Sequence, residues 1–508
     1  MWNILTELLQ RPDRLVAELE ALGSPDSATN AALHTERRHL EQRLVTLPSE
    51  AERLVEGYRK RLFDEALVSR EMAKIETERQ TSTERLQEVQ RQLSLHERVE
   101  ELCTGVVAFA AHAIAATLYD YPKERPHMLR STDRIQVTQQ GTLAKPADLR
   151  AMIVAKSNGQ PYDAAALAAR TAAAVAEAVQ AQIDCGIDSV NDGEMSKTTF
   201  SDYVCDRLGG LTPTAEPYVS PINLRDQQRF GEYFNRPTGR GVGMRRVIYQ
   251  AAEPLRYVGQ AQVQADIANL RAALAGKTVG EAYLPAVAPG SIDHWLKNSH
   301  YRDEEAFLYG IADAMHEEYQ AIVDAGFLLQ IDDPDLADGW QVHPQMTKDE
   351  YRKEAQMRTA VLNHALRGIP ADRVRVHVCW GSYHGPHRYD FPLADLIDIL
   401  LSVHAGSVSI EASNPAHAHE WQVFEDVQWP DGRLLIPGVV GHCSDFVEHP
   451  ELVAERLATY ANLVGRENVV AGTDCGLGTR VGHGKIALAK FEAMAEGARL
   501  ATTRLWRK

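Results

Sequence analysis

Cysteine is sparse in this chain. The six in 508 residues (Cys103, Cys185, Cys205, Cys379, Cys443 and Cys475) form no close-spaced framework. That excludes a disulfide-stapled scaffold and favours a reducing compartment in which thiols stay free to bind metal. Positive charge is the minority, with a net charge of -16 at pH 7, which argues against nucleic acid as a partner of the whole chain. Long apolar runs are missing as well. The longest, 106–119, is short for a membrane span and contains His112, and the first residues lack the basic-then-apolar pattern of a signal peptide. The expectation is a cytoplasmic protein with no membrane partner. Glycine is nearly absent from the first hundred residues, and no glycine fingerprint for a dinucleotide follows the early apolar runs.

What is present falls into two pieces. Residues 1–102 are rich in Glu, Arg, Gln and Leu. Met72, Ile75, Leu86, Val89 and Leu93 follow alternating spacings of three and four, with Arg79, Ser82 and His96 in the remaining seam positions. This is an imperfect heptad. Trp2, Ile4, Leu5, Leu8, Leu9, Leu15, Val16 and Leu19 predict a shorter amphipathic helix broken near Pro12. Leu33, Leu40, Leu44 and Leu47 predict another that stops before Pro48. The pattern predicts an α-helical hairpin or coiled-coil arm, solvated on its charged faces, that leaves room for a homo-oligomer. Residues 103–127 read as a junction, and Met128-Leu129-Arg130-Ser131-Thr132-Asp133 reads as the start of a separate protein, 128–508, joined to the arm.

From about Ser131 short apolar runs alternate with long helical stretches. The helix 164–182 precedes the run 187–190, which ends in Asn191-Asp192-Gly193-Glu194. The helix 306–325 precedes 327–331, which ends in Asp332-Asp333-Pro334. Helical stretches at 393–401, 450–464 and 486–499 repeat the unit. Repetition of helix, strand and polar residue predicts the α/β class and a (β/α)8 TIM barrel, which puts every polar strand end on one rim. An open doubly wound sheet is the alternative.

Four side chains stand out on that rim. Val374, Val376 and Val378 alternate with Arg375, His377 and Cys379, so a strand there puts His377 and Cys379 on one face. The run 407–410 delivers Glu411, and 469–472 delivers Cys475. Two thiolates, an imidazole and a carboxylate favour Zn2+ with one exchangeable ligand, which suits activation of a substrate thiol. A structural zinc site is the bland alternative, and Cys443, His384, His387 and His483 are further donors that spacing leaves in play. A zinc hydrolase using bound water would favour histidine and carboxylate over two cysteines.

The motifs His377-Val378-Cys379-Trp380-Gly381, Ile410-Glu411 and Gly472-Thr473-Asp474-Cys475-Gly476-Leu477-Gly478-Thr479-Arg480 resemble, in order, those of the catalytic barrel of cobalamin-independent methionine synthases. The likeness spans 128–508 and is greater to the shorter single-barrel members, which include epoxyalkane–coenzyme M transferases. It implies that His377, Cys379, Glu411 and Cys475 ligate zinc. It further implies that Gly141-Thr142 meets the amino-acid end of the thiol and that Glu194 and Asp332 hold its amino group. The pattern departs at Gln139, where related proteins carry histidine, at Ile292, with Trp295 displaced from the folate-stacking position, and at His442, one position from the expected proton-relaying histidine. The arm resembles the helical tail of large serine recombinases, through Trp2-Asn3-Ile4-Leu5, Arg11-Pro12-Asp13 and the 58–79 region. Neither the catalytic domain nor the zinc ribbon of that family is present.

The expectation is therefore a zinc-dependent transferase that moves a methyl or larger alkyl group onto a thiolate, as in methionine synthesis from homocysteine, with His442 and Asp332 as catalytic residues. Epoxide opening by a coenzyme M-like thiol is the alternative, so the donor is a folate or an epoxide. A rival of another class is an inactive barrel with a helical assembly arm.

Overall fold

The computed structural model describes residues 27–118, 128–214, 223–235 and 247–506, and the side chains of all of these except 27–31 and 94–118. The expected helix over 2–19, the 119–127 part of the junction and the side chains of His96, Cys103 and His112 lie outside the described residues. The remainder forms two compact units that divide after Ile114. No helix among the described residues is long and apolar enough to cross a membrane.

The arm is an antiparallel pair of helices, α1 (Ser27–Arg59) and α2 (Glu65–Leu118). Arg85 pairs with Glu36 and Arg43 with Glu78, each at 2.7 Å, which sets the antiparallel register. Leu33, Val89 and Leu93 form its small core, with Leu40 packed against them. Ser82 is also buried, so part of the expected seam is real. α1 does not stop before Pro48 but runs through it. Pro48 is exposed, so the Leu44 carbonyl that loses its amide partner can turn to water. Arg43 also spans the break by pairing with Glu50. α2 continues to Leu118, into the segment read as a junction.

The second unit is built on eight parallel strands: β1 (Gln136–Val137), β2 (Ser189–Asn191), β3 (Glu281–Val287), β4 (Leu328–Asp332), β5 (Val374–His377), β6 (Ser407–Glu411), β7 (Leu434–Val440) and β8 (Val470–Thr473). Each pairs with its sequence neighbour and β1 with β8. A bridge between Thr138 and Ser189, with Asp188 N donating to Val137 O at 2.8 Å, closes the ring. This is the expected (β/α)8 topology. Helix starts are capped by Asp163, Asp303 and the Thr347–Glu350 capping box. The expected 393–401 helix is instead a 3-10 turn, Leu393–Asp395, and a short helix, Ile397–Leu401, because Leu396 adopts φ -119 between them. A separate three-stranded sheet is formed by Leu208–Pro213 and Tyr249–Tyr257, inserted between β2 and β3, and Leu296–Asn298, which follows β3.

Outward residues of the strands pack on the helices in one continuous core, while Met128, Tyr283, Leu328, Leu434, Ile436 and Val470 form a separate cluster inside the barrel. Met128 is held there by its neighbours. Leu129 N donates to Glu281, Arg130 reaches Asn468, and Ser131 Oγ donates to Val469 O at 2.6 Å while accepting from Gln136 N. The interior above that cluster is polar. Arg375 donates to Thr138 Oγ1 at 3.0 Å and Ser189 Oγ at 3.1 Å and lies over the Tyr283 ring at 4.1 Å.

Candidate metal centre and substrate rim

β5 turns Val374 and Val376 to the helices, and strand alternation sends Arg375 and His377 inward. Register pairs His377 with Asp332 on β4 and with Ser409 on β6. Cys379 lies two residues past β5 and Cys475 two past β8, both on turns that fold back over the barrel mouth. One ring nitrogen of His377 and the sulfurs of Cys379 and Cys475 lie within 4.8 Å of one another. His377 Nδ1 is 3.4 Å from Ser409 Oγ, and its buried Nε2 has no nitrogen or oxygen partner among the described residues.

The Cys379 thiol donates to Cys475 and, against the effect of burial and helped by His377 and His442, holds it well below the ordinary thiol range. Cys379 is pushed well above that range by Cys475 and by burial. A thiol favoured as thiolate beside a second sulfur is poorly housed away from water unless a cation is there to meet its charge. Two sulfurs and an unpartnered imidazole nitrogen are the donor set that zinc prefers, so the residues fit that ion.

Glu411 stands in a neighbouring group with His442 and Asp474, whose potential ligand atoms also lie within 4.8 Å of one another. Its Oε1 accepts from Trp380 N and its Oε2 from Asn414 Nδ2, each at 2.8 Å. Each carboxylate oxygen retains a second lone pair, so these bonds leave Glu411 able to ligate. Asp474 accepts from Ala412 N, Ser413 N and Ser413 Oγ at 2.6–2.9 Å. Burial, with Glu411 close by, pushes it up to about 6. A Cβ at position 438 would collide with Asp474, so only glycine lets β7 pass this loop. His442 is buried, and neither ring nitrogen has a nitrogen or oxygen partner among the described residues. Burial opposes its charge, but Cys443, Cys475 and Glu411 together raise it well above the ordinary imidazole range.

The other donors that spacing left in play do not join the trio. Cys443 lies beside His442. His387 is bound to Asp390 at 2.7 Å, and His483 caps the helix Gly484–Leu505 by accepting from Lys485 N. His384 is exposed.

Next to this trio on the mouth, Thr142 Oγ1 donates to Glu194, whose carboxylate also has Lys197 Nζ at 3.6 Å. Asp332 accepts from Gln330 Nε2 at 2.9 Å. Burial pushes it up to about 7, against the pull of His377 and with a push from Glu194. Gly141 has φ +117, a backbone state that favours glycine. Gly478 N donates to Thr142 O at 2.9 Å, so the turn that carries Cys475 backs onto this one. Asp333 is turned elsewhere, to Ser291 Oγ at 3.2 Å. Trp295, displaced from the expected donor-stacking position, stacks on His294, with centroids 4.5 Å apart.

Sequence reasoning missed the residues that support these groups. Gln139, singled out only as a departure, is fully buried and accepts from Gly141 N at 2.7 Å while donating to Asn191 Oδ1 at 2.6 Å. Asp474 was visible inside the Cys475 motif, but its role in holding the β6 turn was not. His417 gave no signal at all.

Residues 263–499 match the family described as "Cobalamin-independent synthase, Catalytic domain". Among curated proteins, a methionine synthase of Sulfolobus acidocaldarius is 24% identical over 336 residues, covering 66% of this chain and 83% of that protein. A methionine synthase of Saccharolobus solfataricus is 23% identical over 338 residues, covering 66% and 85%. Among solved structures, a B12-independent methionine synthase from Shewanella sp. W3-18-1 in complex with selenomethionine superposes with a TM-score of 0.57 at 20% identity, covering 73% of this chain and 99% of that one. At that identity the superposition shows the barrel fold.

Proposed function

We propose that the barrel, which belongs to the cobalamin-independent synthase catalytic-barrel family, transfers a methyl or larger alkyl group to a substrate thiol such as homocysteine. The observation that carries this reading is the trio His377, Cys379 and Cys475, the first two buried and the third half-buried, gathered within 4.8 Å at the C-terminal rim. Those three would hold zinc, with Glu411 as the fourth ligand. When bound, the ion supplies the positive charge that keeps a substrate thiol ionised near neutral pH.

The chain's own residues do the remainder. Glu194 and Asp332 are placed to pair with the ammonium of an amino-acid thiol, and Thr142 keeps Glu194 turned toward the mouth by its hydrogen bond. An ammonium between them would also offset the burial and the smaller push from Glu194 that raise Asp332. In the transfer, the substrate sulfur forms a bond to the alkyl carbon as that carbon leaves its donor atom, which then needs a proton. His442, buried and favouring its protonated form, is the group we assign to deliver it from a ring nitrogen.

Zinc-edge X-ray absorption tests the reading. Protein with full zinc occupancy should show a shell of two sulfurs that becomes three on addition of homocysteine, and coenzyme M serves as the competing probe. An unchanged shell with either thiol would overturn alkyl transfer to a zinc-held thiolate.

A further inference from the structure

A second buried cluster lies behind the metal centre. Asp390 Oδ2 accepts from His387 Nδ1 at 2.7 Å and His417 Nε2 at 3.0 Å, and His417 Nδ1 donates to Glu420 Oε2 at 2.8 Å. The ends of the chain are tied as well. Gln341 Nε2 donates to Asp390 Oδ1 at 3.0 Å, and Leu393 N donates to Glu420 Oε1 at 2.7 Å. Although His387, Asp390 and His417 are metal-binding types, Asp390 Oδ2 occupies the space between the two rings. Metal bonds of about 2.0–2.2 Å would have to replace hydrogen bonds already made. The cluster is a salt-bridged relay, not a second ion site.

What it touches gives it a task. The His417 ring is stacked on the Trp380 indole at 4.0 Å and 25°, while Trp380 Nε1 donates to Phe391 O at 2.6 Å. The indole is therefore fixed by its face and by its edge. Trp380 follows Cys379 in the chain, and its backbone N–H is the donor to Glu411 Oε1 at 2.8 Å. In the loop after β6, His417 N donates to Asn414 O at 2.9 Å, and Asn414 Nδ2 donates to Glu411 Oε2 at 2.8 Å. A closed circuit thus runs from Glu411 through Trp380 and His417 to Asn414 and back to Glu411.

We infer that His417 is a positioning residue for the metal centre. Clamped between Asp390 and Glu420, its ring fixes Trp380 while its backbone N–H holds Asn414, and through these two it steadies the Glu411 carboxylate and the Cys379 turn. A ring held by two carboxylates resists rotation, and partners of this kind that orient metal ligands carry about 10–100-fold in metal affinity. The inference rests on the zinc reading above, so its test separates the two.

Zinc affinity is measured by competition with a chromophoric chelator, and ligand geometry by the absorption bands of the Co(II)-substituted protein, for wild type, His417→Ala, Asp390→Asn and Trp380→Phe. His417→Ala and Asp390→Asn should weaken zinc about 10–100-fold and shift the Co(II) bands. Trp380→Phe, which keeps the backbone N–H and an aromatic face for His417, should stay near wild type in both. Wild-type affinity and bands in folded His417→Ala and Asp390→Asn would overturn the inference, as would a Trp380→Phe loss equal to that of His417→Ala. Should His417→Ala fail to fold, Asp390→Asn, which preserves volume, decides alone. A wild-type protein without sulfur-to-cobalt charge-transfer bands would instead overturn the zinc reading itself.

Discussion

The Gln139 amide donates to Asn191 Oδ1 at 2.6 Å and, through its own oxygen, accepts from Gly141 N at 2.7 Å. A single buried side chain therefore ties the turn after β1 to the end of β2. That turn presents Thr142 to Glu194.

Gln139→Ala should loosen both ends at once. It leaves Gly141 N without its acceptor in a buried setting, a cost of about 1–3 kcal/mol. Denaturant unfolding should show that loss. Calorimetric titration should show weaker binding of homocysteine, with zinc content unchanged because His377, Cys379 and Cys475 lie at the ends of other strands.

Cys475→Ser and Cys379→Ser should each lose zinc on dialysis against a chelator that leaves wild type loaded. Binding free energy on the order of 10–16 kcal/mol, shared among four ligands, makes each sulfur worth several kcal/mol. Elemental analysis of the dialysed proteins checks it. Alkyl transfer should fall in parallel with metal content and return on zinc addition in wild type.

Asp338 offers a pH test away from the ligands. Burial, with Asp335 and Asp390 adding to it and His294 and His387 opposing, pushes its carboxyl up to about 8. Between the ordinary aspartate range near 3.9 and that value, the folded state holds a proton that the unfolded state has lost. Its contribution to stability is thus fully present in acid and declines as pH rises through this window. Asp338→Asn fixes the neutral form. Urea melts at pH 5 and pH 8 should show a smaller decline for the variant than for wild type, and identical slopes would refute the assignment.

Met128 should behave as a core residue of the barrel. It packs with Tyr283, Leu328, Leu434, Ile436 and Val470, so Met128→Ala should cost about 2–5 kcal/mol, read by thermal or urea unfolding. A chain beginning at Met128 should keep the zinc content and melting behaviour of the barrel. One beginning at Asp133, without the Ser131 Oγ bridge between Gln136 N and Val469 O, should be markedly less stable.

The alternation of helix and apolar run was readable because each barrel strand is buried on both faces and each helix on one. His377, Cys379 and Cys475 were readable for a related reason: their side chains are scarce types at strand ends, and a closed ring of parallel strands must bring such ends together. Pro48 misled, since its cost in a helix depends on whether the freed carbonyl reaches water, which only the fold shows. Trp295 could be placed as displaced, but not as the stacking partner of His294.

By itself the sequence determined the barrel, the helical nature of the arm and the types of atom at the rim, because periodicity and residue chemistry are local properties. Tertiary structure alone decided which of those atoms meet. It set Glu411 between Trp380 N and Asn414, buried His442, turned Gln139 into a clamp and stacked His417 on Trp380. Those contacts join residues from different βα units, and their distances follow from strand register and loop packing, which no spacing along the chain encodes.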